Sequence, residues 1–79
     1  MRIMEFKMER QGLLQVGQEV EVTESPLPTS YYYTIQPMIA MSRNNQGYER
    51  LQSRKGIVKD IRETDRGYYT DVEFDEEER

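Results

Sequence analysis

The chain reads as a mainly β protein: a small barrel of about five strands with a long loop insertion after the first core strand. Three observations point there. Runs over 19–24, 56–62 and 68–74 are built of Val, Ile, Tyr and Phe with polar residues between them, the two-residue period of a half-buried strand. Pro- or Gly-bearing clusters over 25–30, 43–47 and 63–67 separate the runs. At 79 residues there is room for one domain and one modest core, because a chain this short buries only about 60% of its unfolded surface.

The apolar inventory is thin. Ile, Leu, Val and Phe sum to 16 of 79 residues, near the roughly 20% below which highly charged chains stay disordered. The six Tyr and five Met must therefore join the core, although Met fills gaps without specifying one packing.

Taken in order, Met4, Phe6 and Met8 alternate with Glu5 and Lys7, which suits a strand, although a frayed terminal helix fits nearly as well. Residues 1–12 are read as an N-terminal strand or flexible arm, and 13–75 as the single barrel domain with its insert over 25–53. Val20 and Val22 face one side of the first core strand and glutamates the other. Pro26 and Pro28 then break regular structure, since each fixes its φ and lacks an N–H.

Strict alternation fails in the second core strand, where Ile57 and Ile61 share a face with Lys59 while Val58 falls opposite. A bulge near Lys59 would return Val58 and Ile61 to one core. The turn over 63–67 closes a hairpin, with Gly67 at positive φ. In the third strand Tyr68, Thr70, Val72 and Phe74 point inward, and Tyr69, Asp71 and Glu73 outward. Residues 76–79 end an acidic run expected to be solvated or disordered.

Val16-Gly17-Gln18-Glu19-Val20-Glu21-Val22, then Arg54-Lys55-Gly56-Ile57-Val58-Lys59-Asp60-Ile61, then Tyr69-Thr70-Asp71-Val72-Glu73-Phe74-Asp75 follow an order that resembles an SH3-like small barrel. The middle piece is similar to a KOW-type motif, a glycine (Gly56) with an apolar residue two positions on (Val58). The resemblance covers roughly 35 residues in three pieces. It implies a contact with RNA, ribosome or RNA polymerase, as KOW-type modules of ribosomal proteins and NusG-like transcription factors make. The long insert and the acidic C-terminus depart from that pattern.

The insert needs a reason, because loops beyond about 15 residues are uncommon unless functional or disordered. In one reading Tyr31, Tyr33, Ile35 and Met38 fold back as extra core, with Tyr32 and Gln36 outward. In another several of these side chains form a contact patch, Tyr supplying large area at low entropy cost. In a third the insert is disordered until a partner binds. A protein partner would be met by Tyr31, Tyr32, Tyr33, Met38 and Met41, with Arg43, Tyr48 and Arg50 at the rim.

Charge is distributed unevenly: −2 over 1–40, +3 over 41–66 and −5 over 67–79. The basic stretch offers a nucleic-acid alternative through Arg54, Lys55, Lys59 and Arg62, cations for phosphates with tyrosines to stack on bases. Interleaved Glu49, Asp60, Glu63 and Asp65 favour a salt-bridged, solvated face instead.

With no His and no Cys, the commonest general base, the thiolate nucleophile and the usual transition-metal ligands are missing. The expectation is a non-enzymatic binding module without cofactor or metal. Another protein is the favoured partner, RNA or a ribonucleoprotein the second. The longest apolar run, over 38–41, is far too short for a membrane helix, and a cytoplasmic location is expected. The oligomeric state is not legible.

Overall fold

The computed structural model describes residues 1–8, 12–36, 40–47 and 50–76. It contains six strands: β1 (Arg2–Met8), β2 (Glu19–Pro26), β3 (Tyr31–Ile35), β4 (Ala40–Ser42), β5 (Lys55–Thr64) and β6 (Gly67–Phe74). They close into an antiparallel barrel in the order β1-β4-β3-β2-β5-β6. The mainly β class and the small barrel are as the sequence predicts, but the walls number six rather than about five.

The difference lies in the insert. Tyr31-Tyr32-Tyr33-Thr34-Ile35, aromatic and β-branched throughout, pairs with β2 from Val22↔Ile35 to Pro26↔Tyr31, as strand-forming residues do when a neighbour offers its edge. Pro26 is the last paired residue of β2 and Pro28 lies in the short turn that follows, so the two prolines do not open a long loop. Leu27 N–H donates to the Ser30 carbonyl at 2.8 Å, closing that turn. The three residues of β4 then bridge β3 to β1.

The N-terminal segment is a full wall. β1 buries Arg2, Met4, Phe6 and Met8 and exposes the residues between them, pairing along its whole length with β6, from Arg2↔Phe74 to Met8↔Tyr68. In β5 the register slips between Val58 and Asp60, so that Val58 faces Val72 and Ile61 faces Thr70. Lys59 is thus the bulge that the broken alternation predicts. The buried Thr70 hydroxyl donates to the Asp60 carbonyl at 2.9 Å, satisfying a group beside the bulge. Gly67, with φ of 130°, ends the β5–β6 turn as expected.

The core gathers Phe6, Val20, Val22, Tyr33, Ile35, Leu51, Val58, Val72 and Phe74, with Met4 and Met8. β4 and β5 lie on separate sides of the ring with β3 and β2 between them, so the chain from Ser42 to Lys55 must cross a barrel end. Its Leu51 is buried there at 1% exposure. Glu76, expected to be solvated, closes the same end. Its carboxylate accepts the N–H groups of Gln52 at 3.1 Å and Ser53 at 2.8 Å and pairs with Arg2 at 3.4 Å. Two residues beyond β6 it is still within reach of these backbone donors.

Candidate functional site

Two groups of side chains stand out. The first is a latch on the crossing segment. Tyr33 is fully buried, and its hydroxyl donates to Glu24 at 2.8 Å and accepts the Leu51 N–H at 2.7 Å. Arg50 grips Glu24 with two nitrogens, Nε at 2.9 Å and Nη2 at 2.8 Å, and lies 4.7 Å over the Tyr31 ring. Arg54 sits 3.8 Å from the same carboxylate and donates to the Leu51 carbonyl at 3.1 Å. Backbone bonds between Tyr31 and Asn45 fasten the start of the crossing.

This geometry sets the ionisation of its members. Arg50, by its hydrogen bonds, holds the Glu24 carboxyl below the ordinary 4.5, with Tyr33 and Arg54 acting the same way against burial. Burial first, and then the bond to Glu24, push the Tyr33 hydroxyl up to about 12. At the barrel end burial raises Glu76, but the N–H groups of Ser53 and Gln52, with Arg2, bring it below 4.5.

Both carboxyls titrate lower when folded than when unfolded. The stability they contribute is therefore present above 4.5 and lost as pH falls through their folded values. Glu24→Gln is expected to lower the urea midpoint at neutral pH and to narrow the gap between neutral and acid midpoints. Parent and variant losing equal stability on acidification would refute the role given to Glu24.

The second group is a groove of about 480 Å³ on the outer face of β1, β4 and β6, lined by Glu5, Lys7, Met41, Ser42, Arg43, Arg66 and Tyr69. Cross-strand pairing builds its floor. Lys7 lies opposite Met41 on one side and Tyr69 on the other, so three outward side chains from distant parts of the chain form one row. Among the described residues none of Lys7, Arg43 and Arg66 makes an ion pair. Glu5, the groove's one carboxylate, is held by Arg62.

The residues read from sequence as partner-binding are thus divided. Met41, 45% exposed, and Arg43 line the groove. Tyr31 and Arg50 belong to the latch, and Tyr32 lies half-buried opposite Ser25. Tyr33 is a correction: it does not reach the surface, because β3 turns its ring into the core and the latch takes its hydroxyl. Met38 and Tyr48 lie outside the described residues.

Of the nucleic-acid alternative, Lys59 pairs with Glu73 at 3.5 Å and Arg54 with Glu24. Arg62 is engaged by Glu5, Asp60 and Asp71, which raise its pKa further, Asp71 foremost. Lys55 is exposed and makes no ion pair among the described residues. Sequence reasoning overlooked Lys7 and Tyr69 as groove residues, although the outward parity of each was legible. Glu24 carries no local signal at all, being 26 positions from Arg50.

Fold and site define a small closed antiparallel β-barrel with a cationic outer groove. No protein-family model, curated protein or solved structure matches the chain.

Proposed function

We propose that this chain is a non-catalytic binding module, SH3-like in the general sense of a small β-barrel, that docks another protein through the outer face of β1, β4 and β6. One observation carries the reading: Met41 and Arg43 of the insert share a groove with Lys7, Arg66 and Tyr69, and its cations lack counter-ions among the described residues. Charges left unbalanced beside apolar side chains are poorly explained by folding and well explained by a partner that supplies the missing sign. Tyr31 and Arg50 contribute by holding the crossing segment in place.

The second reading is a KOW-like module that touches RNA or a ribosome or polymerase assembly through the basic 50–66 region. It is the weaker because Arg54, Lys59 and Arg62 are already met by carboxylates of the chain itself. The glycine of the motif has a packing reason of its own: a Cβ on Gly56 would lie 2.6 Å from Val72 Cγ1.

The two readings separate by photocrosslinking in lysate, with a photoreactive residue at position 41 or at position 55. Adducts from position 41 that are protein and persist after nuclease are expected, with few from position 55. Adducts to RNA from position 55, with none to protein from position 41, would reverse the order.

A further inference from the structure

Resting on that reading, we infer that the groove takes an extended acidic segment of the partner protein. Its carboxylates meet Lys7, Arg43 and Arg66, and an intervening apolar side chain lies between Met41 and Tyr69.

Placement of the cations comes first. Gly67 at the β5–β6 turn has no Cβ, and one built there would stand 3.3 Å from Lys7 Cε. The lysine stem therefore runs across Gly67 toward the turn that carries Arg66. Arg43 enters from the opposite wall, just past the end of β4. Like charges gathered around one groove repel one another, a cost that an anionic occupant removes.

The surroundings limit how long that anion can be. Glu5 in the groove's own lining, with Asp60 and Asp71 beside it, converges on the single cation Arg62, leaving an excess of two negative charges at that edge, and the whole chain carries −4. A polyanion tracking across the barrel would leave the groove for a repelling surface, whereas a short acidic segment ends inside it. This favours a peptide over a nucleic-acid strand.

The walls favour a peptide over a bare anion. Met41 is 45% exposed and Tyr69 half-buried, and a thioether and an aromatic ring reward an apolar side chain rather than a hydrated ion. In an extended segment successive side chains alternate sides. Acidic and apolar residues in alternation would therefore meet the cations and the Met41 and Tyr69 walls in turn.

The test is a fluorescence anisotropy titration of the full chain against a dye-labelled octapeptide alternating glutamate and tyrosine. Saturable binding is expected, with none to the same peptide carrying lysine for glutamate. Lys7→Gln, Arg43→Gln and Arg66→Gln should each weaken it by roughly 1.5- to fivefold, the range of exposed charge pairs. Met41→Ala should weaken it too, and Lys55→Gln should leave it unchanged. Urea midpoints of the three charge variants should equal or exceed the parent's, which separates lost binding from lost fold.

Octaglutamate binding as tightly as the alternating peptide would overturn the inference by making the groove a simple anion site. Octauridylate binding more tightly than either would overturn both it and the protein-docking reading. Failure of the peptide while nuclease-resistant protein adducts persist from position 41 would sink the acidic-segment inference alone.

Discussion

Tyr33→Ala is expected to leave the protein largely unfolded at room temperature. Truncating a buried aromatic side chain costs about 3–5 kcal/mol, and Tyr33 is the largest fully buried side chain described. A domain of this length has roughly 4–12 kcal/mol in total, at about 0.05–0.15 kcal/mol per residue. The alanine variant also strands the buried Leu51 N–H that the hydroxyl accepts, and takes one donor from the Glu24 carboxylate, which Arg50 still holds. Tyr33→Phe separates the two losses. It keeps the ring and deletes only the hydroxyl, so a loss of about 1–3 kcal/mol is expected, chiefly from the buried Leu51 N–H left without its acceptor.

The hydroxyl leaves a signature at high pH as well. Its folded value of about 12 lies above the ordinary 10, so the stability it confers is intact below 10 and falls away as pH rises toward 12. That alkaline loss should vanish in Tyr33→Phe. Urea denaturation of parent and both variants, at neutral and alkaline pH, measures all of this. A phenylalanine variant as stable as the parent would show that Glu24 and Leu51 do not depend on the hydroxyl.

The latch also shows what the sequence could and could not disclose. Parity along single strands was legible: the inward faces of β2 and β6 follow from Val20, Val22, Val72 and Phe74, and the slip at Lys59 from one misplaced valine. Such facts depend on neighbours two residues away. β4 is different. Ala40, Met41 and Ser42 are too few to announce a strand, and they are one because β1 and β3 flank them.

The groove mixes both kinds of information. Met41 and Arg43 drew attention as part of an unusual insert, yet Lys7 and Tyr69 join them only because β1 is inserted between β4 and β6. Pairing across such distances has no local trace in one sequence. Glu76 misled for the opposite reason: its acidic neighbourhood speaks of solvation, while its carboxylate answers to the particular backbone donors of Gln52 and Ser53; residues 77–79 lie outside the described residues.

Gly56→Ala is the second large effect, and opposing terms decide its sign. Replacing glycine by alanine restricts the unfolded chain, a gain of about 0.4–1 kcal/mol where the folded backbone accepts the change. Here the added methyl would stand 2.6 Å from Val72 Cγ1, 2.8 Å from the Glu73 carbonyl oxygen and 2.9 Å from Phe74 Cδ1. Val72 and Phe74 are fully buried, so neither side chain has open space to retreat into, and the carbonyl belongs to the β6 backbone. Overpacking of this kind costs about 1–3 kcal/mol, sometimes more, and exceeds the entropic gain. A marked drop in the urea midpoint is therefore expected. Gly47→Ala is the matched control, because a Cβ there meets nothing within 4 Å, and that variant should be neutral or slightly more stable. If both variants behaved alike, the close approach of β5 to β6 would be wrong, and with it the packing reason given for Gly56.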